Sequence, residues 1–204
     1  ATMFPMLYYR ELLTTDRDAY GIYVQSPFPK ENRRILIGSD VSSRYTRRNR
    51  AEYRKIAGYI ARCVWQRQGN YMVFFPSYRL MEDVLQVYEE EFSVDWVRCV
   101  CQTPDMTEQE REGFLEEFQE REGTLVGFCV LGGIFSEGVD LTGESLIGAV
   151  IVGTGLPQIG SQREILKEYY DKKNHCGFDY AYRYPGMNKV LQAAGRVIRT
   201  KEDK

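Results

Sequence analysis

Five short apolar runs punctuate this chain, at Ile35–Ile37, Tyr71–Phe75, Val94–Val100, Thr124–Val130 and Leu146–Val152. Between and after them lie stretches with helical periodicity, near residues 47–68, 78–91, 107–121, 161–173 and 187–199. Strand-length runs alternating with amphipathic helices predict βαβ units and hence an α/β fold. The near-continuous run Ala149-Val150-Ile151-Val152 suits a strand buried on both faces, as in a mainly parallel sheet covered by helices in three layers. In such sheets ligands bind beyond the carboxyl ends of the strands. Three loops are expected there: Pro76-Ser77-Tyr78, the segment from Leu131 onward, and Gly153-Thr154-Gly155-Leu156-Pro157. Residues 1–30, with Pro5, Pro27 and Pro29, read as a connector docking on a domain formed by residues 31–204.

Composition adds bounds. With 204 residues, 43% hydrophobic and 27% charged, the chain can bury one large core. No apolar run approaches the roughly 18 residues of a membrane span, and no charged-then-apolar leader opens the chain, so the expectation is a cytoplasmic protein, of the bacterial cytosol or nucleoid, without a membrane partner. Cys63, Cys99, Cys101, Cys129 and Cys176 are scattered and joined by one histidine, His175; they read as reduced packing residues, not metal ligands.

Charge is partitioned along the chain. From Arg33 to Arg67 ten basic residues face only Asp40 and Glu52, whereas Glu82 to Glu122 holds fourteen acidic residues and three arginines. The basic segment is a candidate for nucleic-acid contact and the acidic one a solvated face. Within the former, Ser42-Ser43-Arg44-Tyr45-Thr46-Arg47-Arg48 precedes a long predicted helix, whose N-terminus attracts anions.

The densest chemical signal is Gln192-Ala193-Ala194-Gly195-Arg196-Val197-Ile198-Arg199. On a helix, Gln192, Arg196 and Arg199 fall at i, i+4 and i+7 and share a face, a cationic stripe suited to phosphate, while Leu191, Ala194 and Ile198 point to a core. Gly195 costs about 1 kcal/mol inside a helix, a cost that fits close approach of a ligand or backbone.

This Q-x-x-G-R-x-x-R run resembles motif VI of superfamily 2 helicases, and the preceding Tyr184-Pro185-Gly186-Met187-Asn188-Lys189-Val190-Leu191 is similar to the DinG and XPD branch. Phe135-Ser136-Glu137-Gly138-Val139-Asp140-Leu141-Thr142-Gly143 resembles motif V, Phe74-Phe75-Pro76-Ser77-Tyr78 resembles motif IV, and Ala1-Thr2 look like the tail of motif III. The resemblance spans essentially the whole chain. It implies a C-terminal RecA-like motor domain that begins at the hinge, with a first RecA-like domain of the same polypeptide as partner. By the same resemblance Arg196 and Arg199 are arginine fingers for the γ-phosphoryl group of ATP. Gln192, Glu137, Gly138 and Asp140 serve nucleotide binding and coupling, and Ser77, Tyr78, Ser136, Arg44, Arg48 and Thr154 contact single-stranded DNA. The sequence contains no G-x-x-x-x-G-K-[ST] loop and no D-E-x-[DH] run. ATP and Mg²⁺ are therefore expected to be held mainly by the first domain, as is any iron-sulfur cluster; this chain alone is expected not to hydrolyse ATP. A non-catalytic RecA-like binding module for nucleic acid or protein is the alternative, and a metabolic α/β enzyme a more distant one.

Overall fold

The computed structural model describes residues 4–16, 18–119, 122–136, 141, 143–201 and 203. Four strands, β1 (Asn70–Phe75), β2 (Val97–Cys101), β3 (Thr124–Val130) and β4 (Gly148–Ile151), form one sheet. Their order is β2-β3-β1-β4, and every pairing is parallel. The helices are α1 (Met6–Leu13), α2 (Arg50–Val64), α3 (Tyr78–Glu91), α4 (Glu108–Glu117), α5 (Ser161–Asn174) and α6 (Tyr184–Ala194). A π-helical turn, Asp179–Arg183, leads directly into α6.

Alternation of side chains along β1 builds two cores. Tyr71, Val73 and Phe75 pack with Ile56, Ile60 and Val64 of α2 and Leu80, Val84 and Tyr88 of α3. Met72 and Phe74 face the other way, onto Phe114 of α4, Phe118, Phe135 and Ala193 of α6. All six β1 residues are buried, so the sheet lies between two helical layers and the expected three-layer α/β architecture is present. On β3, a Cβ added to Gly127 would stand 2.6 Å from Cζ of Phe118; glycine is what lets α4 press onto the sheet.

Four predicted strands form, but Ile35–Ile37 does not. Ile35, Leu36 and Ile37 are 69%, 76% and 87% exposed, because their backbone meets no partner strand in the sheet. The helix expected near 47–68 begins later, where Asn49 accepts a bond from the amide of Glu52. The connector contains an unpredicted helix: Tyr8 of α1 inserts among Tyr170, Tyr180 and Tyr184, the Tyr180 hydroxyl donates to Glu11, and Asn188 of α6 donates to the Tyr9 hydroxyl at 2.5 Å.

Candidate functional site

The exits of β1, β3 and β4 share the carboxyl edge of the sheet. At the β1 exit, Ser77 caps α3 by accepting from the Leu80 amide. Tyr78 is half-buried, with its phenol pushed up chiefly by desolvation. Its hydroxyl accepts from Gln102 Nε2 at 2.9 Å, and Gln102 Oε1 accepts from the Val130 amide at 3.0 Å. Buried Gln102, at the end of β2, thus ties the exits of β1 and β3 together. Nothing in the sequence pattern marked it, because a lone glutamine has no signature.

The β3 exit is a tight turn. Gly132 has φ 72° and the amine of Lys189 lies 3.0 Å from where its Cβ would stand; among the described residues that amine has no ion-pair partner. Ser136 is buried, its amide and hydroxyl both donating to the Gly133 carbonyl, at 3.0 and 2.8 Å. Its side chain is thus committed to the turn and is not presented to the surface. Glu137, Gly138 and Asp140 lie outside the described residues.

At the β4 exit, Gly153 (φ 79°) is overlain by Ser43: a Cβ there would stand 2.3 Å from Ser43 Oγ. Thr154 is exposed. The start of α6 closes on this loop, since a Cβ on Gly186 would meet the Thr154 carbonyl at 2.8 Å. Ser43 and the start of α6 therefore both pack on the β4 exit loop.

The C-terminal arginines depart from the predicted stripe. Helix α6 ends at Ala194, with Gly195 as its C-cap at φ −70°, ψ 0°. The amides of Arg196 and Val197 then bond three residues back, to Ala193 and Ala194, so the chain tightens and turns away. Gln192 sits exposed on α6, while Arg196 and Arg199 lie beyond its end; the three do not share one helix face. The buried face is also different. Leu191 is 41% exposed and Ala194 is exposed, whereas Ala193 is fully buried and Val197 packs beneath it. The helix runs in from the π-helical turn, earlier than residue 187, and sets Gly186 against the Thr154–Leu156 loop and Ala193, seven residues on, in the core.

Both arginines are nevertheless built into the site. Arg196 donates from Nε and Nη2 to the Ser136 carbonyl, at 3.1 and 2.8 Å, joining the segment after α6 to the turn after β3. The backbone around Arg199 is fixed by buried Asp203, which accepts from the Arg199 and Thr200 amides at 2.7 Å each. Burial raises the Asp203 pKa, but these amide bonds outweigh it and leave the carboxyl below its ordinary value. Asp203 was missed in the sequence, where an acid near a chain end looks like any solvated tail.

The basic segment is partly neutralised by its neighbour. Arg50 pairs with Glu90 and Glu91, and Arg54 with Glu91, because α2 and α3 pack side by side. Arg47 and Lys55 pair with Glu52, and Arg67 with Glu144. The C-terminal end of α3 is thus a counter-charge for α2, not merely a solvated acidic face. Arg44 is exposed and Arg48 half-buried, its guanidinium 5.5 Å above the Tyr45 ring; among the described residues neither has an acidic partner.

The cysteines are free, and burial pushes thiols up, Cys99 to about 11 and fully buried Cys129 well above its ordinary value. Among the described residues no three His, Cys, Asp or Glu cluster as metal ligands would, and no helix is long and apolar enough to cross a membrane.

Known proteins resemble this chain in sequence and fold. The chain is 28% identical over 193 residues to a probable ATP-dependent helicase of Methanocaldococcus jannaschii, covering 89% of the chain and 29% of that protein. It is 29% identical over 179 residues to the ATP-dependent DNA helicase XPD of Sulfolobus acidocaldarius, covering 82% and 29% respectively. A solved XPD helicase superposes with a TM-score of 0.64 at 26% identity, over 82% of this chain and 29% of that one. The chain therefore spans less than a third of these relatives' length. The family described as the helicase C-terminal domain matches residues 60–204, more than two thirds of the chain, from the last turn of α2 through the Arg199 turn. This chain belongs to the helicase C-terminal domain family and is similar to the XPD-type helicases.

Proposed function

We propose that this domain is the second motor domain of an ATP-dependent DNA helicase that moves along single-stranded DNA, 5′ to 3′, in the cytoplasm. The observation that carries the reading is the pair of hydrogen bonds from the Arg196 guanidinium to the Ser136 carbonyl. A phosphate-seeking side chain is tied to the turn at the strand-binding edge, so a nucleotide that draws on Arg196 pulls on that turn. Guanidinium suits both tasks, because its rigid fork of donors can hold a carbonyl oxygen and binds anionic phosphate oxygens more strongly. Arg199 would supply a second cation to the transferring γ-phosphoryl group; Gln192, Glu137, Gly138 and Asp140 would line the same cleft. The phosphate cradle and the Mg²⁺ ligands would come from the first motor domain, since this chain carries neither motif. An iron-sulfur cluster would also belong there, because among the described residues no three His, Cys, Asp or Glu cluster as metal ligands would.

On the DNA side, Arg44, Arg48, Ser77, Tyr78 and Thr154 would contact the strand from loops and helix starts along the carboxyl edge, and Ser136, whose amide and hydroxyl bond Gly133 and whose carbonyl bonds Arg196, would act by shaping the turn. Arg196→Ala or Arg199→Ala in the full-length protein is expected to lower DNA-stimulated ATP hydrolysis by about 10³-fold or more while leaving oligonucleotide affinity nearly intact. Undiminished turnover in both variants would overturn the arginine-finger assignment, and absence of DNA-stimulated hydrolysis in the wild-type full-length protein would favour a non-catalytic binding module.

A further inference from the structure

Glu52 has an unusual placement for a helix N-terminal acid. Its side chain is only 7% exposed, and the helix end does not need it as a cap, because Asn49 already accepts from the Glu52 amide at 3.1 Å. Instead the carboxylate reaches back and accepts from the Ser42 amide at 2.9 Å, Arg47 Nη2 at 3.0 Å and Lys55 Nζ at 3.2 Å. Burying a carboxylate is costly unless its oxygens are bonded. Here the bonds serve the segment before α2 more than α2 itself.

Ser42 and Arg47 are pinned to one carboxylate, so the residues between them form a closed loop containing the Tyr45–Arg47 turn. Its base is further anchored by Lys55 and Tyr59, which donate to Asp40. The closure presses Ser43 onto Gly153 at the β4 exit and leaves the Arg44 side chain exposed at the loop's start, its amide held by Ser42 Oγ at 3.3 Å.

We infer that Glu52 is a positioning residue for nucleic-acid binding: it holds the Ser42–Arg47 loop against the β4 exit so that Arg44 meets a strand phosphate in register with Thr154. The inference rests on the proposed function, in which this edge carries the DNA strand. Its physical signature is a sign. Removing a negative charge beside DNA strengthens binding electrostatically, so a carboxylate that merely sits nearby gives tighter binding when neutralised. A carboxylate that acts through Arg44 gives weaker binding.

The test measures affinity of the full-length protein for a labelled oligothymidine at fixed salt, for the wild type, Glu52→Gln, Arg44→Ala and the double variant. Glu52→Gln should weaken binding about tenfold, the worth of one charge-assisted contact. Arg44→Ala should cost much less in the Glu52→Gln background than alone, and exchange of the Ser42 amide hydrogen should accelerate in Glu52→Gln. Glu52→Asp, which keeps the charge, should recover part of the affinity, and carries the same cycle should the glutamine variant fail to fold. Unchanged or tighter binding by Glu52→Gln, or full additivity with Arg44→Ala, overturns the inference while leaving the motor reading intact. Failure of the wild type itself to bind the oligonucleotide removes both.

Discussion

Replacing Arg196 by alanine tests the link between the two ends of the site. The guanidinium gives two charge-assisted hydrogen bonds to the carbonyl of a buried residue, Ser136, and alanine leaves that carbonyl without them. Bonds to charged groups contribute about 1.5–3 kcal/mol, and in a domain of this size 1 kcal/mol moves the melting temperature by about 2–4 °C. The variant should therefore melt roughly 3–12 °C below the wild type with no nucleotide present. The loss should propagate locally, because adjacent Phe135 stacks on Phe114 at 4.1 Å and a loosened turn frees that ring pair. Arg196→Lys, with one ammonium in place of a fork, should fall between the two. Thermal denaturation followed by circular dichroism reads the stability and DNA-stimulated ATP hydrolysis reads the chemistry. An unshifted melting temperature for Arg196→Ala would refute the grip on Ser136. A shift with full ATP turnover would retain the grip and refute the arginine finger.

Gly127→Ala should destabilise the domain by about 1–3 kcal/mol through overpacking, since the added Cβ would stand 2.6 Å from Phe118 and 3.1 Å from Phe114; denaturant titration would expose the error if stability were unchanged. Glu11 is held below the ordinary glutamate value of 4.5, first by the Tyr180 hydroxyl and then by Lys173. Its contribution is therefore complete above pH 4.5 and is lost as pH falls through the lower folded value. The melting-temperature gap between wild type and Glu11→Gln should accordingly close in acid, and a gap that persisted there would count against the assignment. With its thiol near 11, Cys99 is about one part in a thousand thiolate at pH 8. Iodoacetamide should label it, and buried Cys129, only after denaturant is added, as peptide mass mapping would show.

Much of the fold was legible because it is written in local periodicity. The runs at Tyr71–Phe75 and Thr124–Val130 read as buried strands, and helical periodicity over 78–91 placed α3 where it forms. Ile35–Ile37 misled for a physical reason: an apolar β-branched run states a preference for extension, but a strand needs a partner edge, and pairing is non-local. The prediction for α6 failed at both ends in a similar way. Helical spacing alone carried Gln192, Arg196 and Arg199 onto one face, while the π-helical turn brought the helix in from further upstream and Gly195 ended it before either arginine.

What the amino-acid sequence determined by itself was the kind of chemistry and the order of the pieces. The ordered segments Phe74–Tyr78, Phe135–Gly143 and Gln192–Arg199 carried the resemblance to a helicase C-terminal domain, and the family match bears that resemblance out. The tertiary structure decided the partnerships. It gave Arg196 to the Ser136 carbonyl, Gln102 to Tyr78 and Val130, Asp203 to the Arg199 turn and Glu52 to the Ser42 loop, and it cancelled part of the basic segment against α3. Each joins groups distant along the chain or chooses among several possible acceptors. Hydrogen bonds and ion pairs depend on distances of a few ångströms, which only the packing of helices on the sheet sets.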